Sequence, residues 1–158
     1  MLVAQRLLPP AIRRAAIAVL LAGVASAAFA YKPDGDAKEA FDRAAEFRKS
    51  LDYRSARVEL MNATAEDPNW GQAYVAQAEV ALELFDAVAA RAAIDKATSL
   101  DVPATQTAHL QGHAYWLLGD LEQARDILTG GAIASKHRVY ADRILGRVYL
   151  NMGDTIAA

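Results

Sequence analysis

Small side chains recur along this chain with a period of 34 residues from Ala37 onward. The eighth, twentieth and twenty-seventh places of every period hold only Ala or Gly, and larger apolar residues recur at the eleventh and twenty-fourth places. Two helices approach closely only where small side chains lie at their crossing, while larger side chains fill the space between neighbouring helix pairs. The pattern therefore predicts a series of helical hairpins. The small places are Ala44, Ala56, Ala63, Ala78, Ala90, Ala97, Gly112, Ala124, Gly131, Gly146 and Ala158; the larger ones include Phe47, Tyr115, Tyr149, Leu60, Ile94 and Leu128.

The period divides the chain into three complete units, 37–70, 71–104 and 105–138, and a partial unit, 139–158. An aspartate recurs at the sixteenth place, where the first helix of a unit should end and the second begin. Such an aspartate can cap the second helix by accepting a backbone N–H. Calcium binding is the alternative, but one whole unit separates each carboxylate from the next. We therefore expect caps at Asp52, Asp86, Asp120 and Asp154.

Several stretches resemble the tetratricopeptide repeat family. They are Gln111-Gly112-x-x-Tyr115 followed by Gly119-Asp120, Leu145-Gly146-x-x-Tyr149 followed by Gly153-Asp154, and Asp67-Pro68 at the end of the first unit. The resemblance extends from Ala37 to the end of the chain. It implies an all-α fold, a right-handed superhelix of antiparallel helix pairs. It also implies a concave groove, lined by the first helices, that receives a peptide or a partner helix.

The resemblance further implies that the second, fifth, ninth, twelfth and thirteenth places of a unit line this groove. Helical spacing also puts His109 and His113 on one face, and Arg143 and Arg147 on one face. Guanidinium, imidazole and aromatic groups together suit an acidic or carboxylate-ended segment with an apolar anchor. The alternative is a solvated helix face. The candidate partner-binding residues are Glu79, Glu83, His109, His113, Trp116, Tyr140, Arg143 and Arg147.

Residues 1–30 have the pattern of a secretory signal peptide. Arg6, Arg13 and Arg14 precede an apolar run and an A-x-A site, with no acidic residue among them. Cleavage after Ala30 is predicted, or after Ala27, with residues 31–36 as a linker. The alternative is an uncleaved signal that tethers the protein, but the 16-residue apolar stretch from Ala15 to Ala30 is shorter than the roughly 20 residues of a membrane span. We expect an exported, periplasmic protein with no stable membrane anchor after cleavage.

Composition narrows the chemistry. Alanine supplies 36 of the 158 residues, which favours helices packed on helices, and the absence of cysteine excludes disulfides, thiolate metal sites and a cysteine nucleophile. Removal of residues 1–30 takes the basic residues from 17 to 14 against 19 acidic ones, so the net charge goes from −2 to about −5. A nucleic-acid partner is not expected, since such a partner calls for a basic surface.

Enzymatic motifs are missing from the pattern. His109-x-x-x-His113 has the spacing of two metal ligands but lacks the glutamate of H-E-x-x-H, so we assign these histidines to the groove and expect neither metal nor cofactor. Gly130-Gly131 follows a helical run and lacks the lysine of a phosphate loop, so it should loosen a helix end. No serine pairs with a base in a known motif, and we expect no catalytic activity.

These observations favour a non-catalytic protein–protein interaction scaffold of the bacterial cell envelope. Alternatives are a component of exopolysaccharide or surface-protein export, or the docking region of a longer enzyme. The fourth unit stops at its twentieth residue, so its first helix lacks most of a covering second helix. We expect either an N-terminal portion of a longer repeat protein, or self-association through an exposed edge at Ile144, Leu145 and Val148.

Overall fold

A computed structural model describes residues 31–153, which form helices joined by short turns. Every helix of the described residues lies in one unit of the chain, which begins at Pro33. No strand occurs in residues 31–153, so the predicted all-α class is confirmed. The predicted signal peptide, Asp154 and Ala158 lie outside the described residues. The helices are α1 Gly35–Lys49, α2 Tyr53–Glu66, α3 Gly71–Glu83, α4 Ala87–Ser99, α5 Ala104–Leu118, α6 Leu121–Thr129 and α7 Arg138–Met152, with a 3₁₀ helix at Ser135–His137.

The three second helices begin 34 residues apart, at Tyr53, Ala87 and Leu121. Each begins directly after one of the predicted aspartates, whose carboxylate accepts the backbone N–H three residues later. These N–H donors belong to Ser55, Ala89 and Gln123. An N-terminal cap of this kind satisfies one of the backbone donors that a helix leaves unpaired. The capping prediction is confirmed for Asp52, Asp86 and Asp120.

The residue before each of these aspartates has a left-handed backbone. The φ angles are 61° at Leu51, 58° at Phe85, 81° at Gly119 and 78° at Gly153, the last standing before Asp154. Glycine takes this conformation without a steric cost, whereas a residue with a Cβ does not. The first two units therefore make this turn with a strained residue, Leu51 or Phe85, whereas the later units make the same turn with glycine.

Consecutive helices pack against one another, and α5 also packs against both α3 and α7. Leu60, Ile94 and Leu128, at the predicted larger place, are at most 2% exposed. Most of the small places form the helix crossings as predicted. Those at 1% exposure or less are Ala44, Ala56, Ala63, Ala78, Ala90, Ala97 and Ala124. Residues 31–153 contain no helix with both the length and the apolar character needed to cross a membrane.

Two small places depart from the prediction. Helix α6 has nine residues, against 14 in α2 and 13 in α4, and ends at Thr129. Gly131 therefore lies exposed in a turn instead of at a helix crossing, as expected if Gly130-Gly131 ends the helix. At Gly146 an added Cβ would have no heavy atom of the described residues within 4 Å apart from its chain neighbours and its own helix backbone, so no close approach requires glycine there.

The predicted exposed edge of the fourth unit is wrong at two of its three residues. Ile144 and Val148 are 1% and 0% exposed because they pack in one cluster with Tyr115 and Leu128 of the preceding hairpin. Only the remaining side chain, Leu145, is partly exposed. Similarly, α1 begins at Gly35, inside the predicted linker, because the Asp34 carboxylate caps it by accepting the Asp36 N–H.

Candidate partner-binding groove

A groove of about 470 Å³ lies along the first helices. Its lining comes from α1, α3, α5, the beginnings of α2 and α7, and the 3₁₀ helix, so one side of the helical array gathers side chains from all four units. Half of the predicted site residues line it, namely Glu79, Glu83, His109 and Tyr140. The remaining lining residues are Ala45, Arg48, Lys49, Tyr53, Leu110 and His137.

The other four predicted residues continue this surface through direct contacts. His113 Nδ1 and the Tyr140 hydroxyl are hydrogen-bonded to each other. The ring centroids of His113 and Trp116 lie 5.5 Å apart. The Arg147 guanidinium lies 5.2 Å from the centroid of the Trp116 ring. In the same way, the Arg143 guanidinium lies 5.2 Å from the Tyr140 ring. All eight predicted residues thus belong to one continuous surface.

Five rings form the middle of this surface, and we call them the aromatic cluster: His109, His113, Trp116, His137 and Tyr140. His109 stacks on His137 with centroids 3.8 Å apart and planes inclined by 11°. The rings of His109 and Tyr140 meet edge to face, with their centroids 5.5 Å apart. The cluster joins α5 to the beginning of α7, and three of its rings, those of His109, His137 and Tyr140, line the groove.

Burial holds the imidazoles of α5 neutral. His109 is 3% exposed, and its pKa is lowered to about 4, first by burial and then by the charges of His137 and Lys136. The pKa of His113 is also lowered to about 4, by burial and by Arg147 and Arg143. Within the described residues, neither His109 Nδ1 nor Trp116 Nε1 has a hydrogen-bond partner. The cluster therefore presents polarisable rings with no net charge at neutral pH.

The formal charges lie on either side of these neutral rings. On the α3 side, Arg48 Nη2 is 2.5 Å from Glu79 Oε2, so Glu79 is paired, whereas Glu83 has no ion pair within residues 31–153. On the α7 side, Arg143 and Arg147 contact rings and likewise have no ion pair in this part of the chain. Burial, followed by the negative charge of Glu83, raises the pKa of Tyr140 to about 12.

Sequence reasoning missed His137. It lies in the 3₁₀ helix after the short α6, at a place that the 34-residue register does not assign to the groove. Its position three residues before Tyr140 was the available signal, because residues three apart share a helix face. In the opposite sense, Val75 and Leu82 stand at register places expected in the groove but are buried in the core that α3 shares with α5.

The histidines do not converge as metal ligands. His113 Nδ1 is engaged by Tyr140, and the His109 ring is covered by His137. No group of three or more His, Asp or Glu side chains with metal-binding geometry occurs in residues 31–153. The side chains of this surface can make hydrogen bonds, aromatic contacts and ion pairs with a bound ligand.

No family model, curated protein or solved structure matches this chain.

Proposed function

We propose that this chain is a tetratricopeptide-type repeat scaffold that binds a peptide segment of another protein in the groove of its first helices. One observation carries the proposal: the eight residues chosen from the register places for their chemistry belong to one continuous surface. The 34-residue spacing of the second helices supports a superhelix of helix pairs. The pattern of residues 1–30 supports action in the bacterial envelope after export.

The chemistry of the surface suits a binding site. Aromatic and arginine side chains supply most of the binding energy in protein interfaces when they are packed and preorganised. Here the rings of the aromatic cluster contact one another, and the guanidiniums of Arg143 and Arg147 rest on Tyr140 and Trp116. A volume of about 470 Å³ lies within the usual range of ligand sites.

A binding role also fits the protonation of the groove better than acid–base catalysis does. General acids and bases act best with pKa values near the working pH. The histidines of α5 titrate near pH 4 and Tyr140 near pH 12, so these side chains neither donate nor accept a proton readily at neutral pH. The proposed scaffold is accordingly non-catalytic.

The test is charge reversal on α7. Arg143→Glu with Arg147→Glu, placed in the full chain in its native host, should weaken crosslinking to the partner that the unaltered chain captures. The matched control is Arg54→Glu with Lys96→Glu, which makes the same change in charge on α2 and α4 and should leave capture intact. Circular dichroism should show equal helicity in all three proteins. Undiminished capture by the α7 variant would overturn the groove assignment.

Export is tested separately by fractionation of the same host. The full chain should be recovered in the envelope fraction, and a chain without residues 1–30 should remain in the cytoplasm. Equal distribution of the two chains would contradict the proposed location while leaving the groove assignment open to the crosslinking test.

A further inference from the structure

The charge of the groove changes in order from one first helix to the next. Helix α1 lines the groove with Arg48 and Lys49, which are already paired with Glu79 and Glu46. Of the charges without an ion pair in residues 31–153, Glu83 on α3 lines the groove, and Arg143 and Arg147 on α7 lie beside it against Tyr140 and Trp116. The rings of His109 and Trp116 on α5 are neutral. Because α5 packs against both α3 and α7, the neutral helix lies between the acidic and the basic one. The groove therefore has an acidic side and a basic side.

Tyr140 marks the boundary between them. Its hydroxyl interacts electrostatically with the carboxylates of Glu79 and Glu83 and with the guanidiniums of Arg143 and Arg147. On the acidic side Arg48 neutralises Glu79, which leaves Glu83 as the carboxylate without a partner in residues 31–153. Charges that lack a partner in the protein are available to a ligand without the loss of an existing ion pair.

We infer that the groove selects an extended peptide segment with a basic side chain at one end, a carboxylate at the other, and apolar or aromatic residues between them. The basic side chain would pair with Glu83, and the carboxylate with Arg143 and Arg147. This inference rests on the proposed function. It differs from the acidic or carboxylate-ended segment predicted from the sequence because the ligand carries charges of both signs. A wholly acidic segment would place a carboxylate against Glu83, and a wholly basic one would place a cation against the arginines.

The spacing of the two charges follows from helix packing. Axes of packed helices lie about 8–10 Å apart, so two steps from α3 through α5 to α7 cover roughly 16–20 Å. An extended chain advances about 3.3–3.6 Å per residue, so the basic side chain and the carboxylate should stand about five or six residues apart.

An extended segment also joins the two charged sides with fewer residues than a helix does. A helix is about 10–12 Å wide with its side chains and rises only about 1.5 Å per residue. A helical partner would need about 11–13 residues to join the two charged sides, about twice as many as an extended one. A single extended strand presents alternate side chains to the rings on a much smaller cross-section.

Selection from a randomised linear peptide display library on the full chain tests both levels of the proposal. The same selection on the Arg143→Glu, Arg147→Glu variant is the reference. Peptides enriched on the unaltered chain alone should carry a Lys or Arg about five or six residues from a carboxylate. Enriched peptides without that pair would overturn the inference and still support the proposed function. Equal enrichment on both proteins would overturn both.

Combined charge neutralisations in the peptide and the protein then show which end of the peptide contacts which side of the groove. A synthetic peptide from the selection is compared with its Lys→Gln and Asp→Asn versions by fluorescence anisotropy at low salt. On the unaltered chain each neutralisation should weaken binding about two- to fivefold, the usual range for exposed ion pairs. Glu83→Gln should remove the effect of the peptide's Lys→Gln change only, and Arg143→Gln with Arg147→Gln the effect of Asp→Asn only.

Asp95→Asn on α4 is the matched control for Glu83→Gln, because Asp95 is exposed and lies away from the groove. It should leave both peptide effects unchanged. If the Lys→Gln peptide loses as much affinity on the Glu83→Gln protein as on the unaltered chain, the acidic side is not where the cation binds, and the inference fails.

Discussion

Gly112 and Gly146 hold the same place in successive units, yet an added methyl group would meet opposite surroundings. A Cβ at Gly112 would lie 2.5 Å from Leu128 Cγ and 2.6 Å from Leu128 Cδ2. A Cβ at Gly146 would lie in open space with respect to the described residues. Both glycines are inside helices, in α5 and α7. Alanine substitution should therefore stabilise the chain at Gly146 but not at Gly112.

The magnitudes follow from two effects. Replacing a helix-interior glycine by alanine favours the helix by about 1 kcal/mol at either position. At Gly112 alone, overpacking costs about 1–3 kcal/mol, because the added methyl group meets Leu128, which is fully buried in one cluster with Ile144 and Val148. Gly146→Ala should gain about 1 kcal/mol, and Gly112→Ala should be about 1–3 kcal/mol less stable than Gly146→Ala.

Urea unfolding of the full chain, followed by circular dichroism, measures both variants. A third protein, Gly112→Ala with Leu128→Ala, tests the cause. Leu128→Ala alone should cost about 2–5 kcal/mol, and the double variant should cost less than the sum because the new methyl group fills part of the space left by leucine. Equal stabilisation by Gly112→Ala and Gly146→Ala, or strict additivity in the double variant, would refute the close approach of α5 and α6.

Three further predictions concern stability. Leu51→Gly and Phe85→Gly should each stabilise the chain by about 1 kcal/mol in the same unfolding assay, because the left-handed backbone costs a residue with a Cβ about 1–2 kcal/mol; Gly119→Ala should destabilise it by a similar amount. Asp120→Ala should cost about 1 kcal/mol through loss of the α6 cap, whereas Asp120→Asn, which can still accept the N–H, should cost less. The free energy of unfolding should fall between pH 6.5 and about 4, since the unfolded chain binds protons at His109 and His113 before the folded chain does. His109→Phe should reduce that fall by about 3 kcal/mol. If the pH profile of this variant is unchanged, His109 is not held neutral in the folded chain.

The local parts of the fold were predictable from the sequence because their causes are local. A cap needs only an aspartate at the beginning of a helix, and a helix crossing needs only a small residue at the right interval, so Asp86 and Ala90 could be interpreted from spacing alone. The end of α6 was indicated in the same way by two consecutive glycines. The repeat register then gave the order of side chains along the groove.

What depended on tertiary packing was not predictable in this way. His137 enters the aromatic cluster because its ring stacks on His109 of a different helix, a contact that no spacing within one unit specifies. Ile144 and Val148 were expected to be exposed because a covering helix was considered on one side only. The preceding hairpin buries them from the other side. The pairing of Arg48 with Glu79 across two units also changes which carboxylate is available.

The connection between α6 and α7 contributes to the groove, whereas the packed helices determine the shape of the array. Four residues link α2 to α3 and α4 to α5, whereas 130–137 link α6 to α7 and carry His137 into the groove wall. Loops on a rigid framework can change in length and sequence while the framework persists. New groove preferences can therefore be engineered into 130–137 as loop libraries, with the stacked helices left as a constant framework.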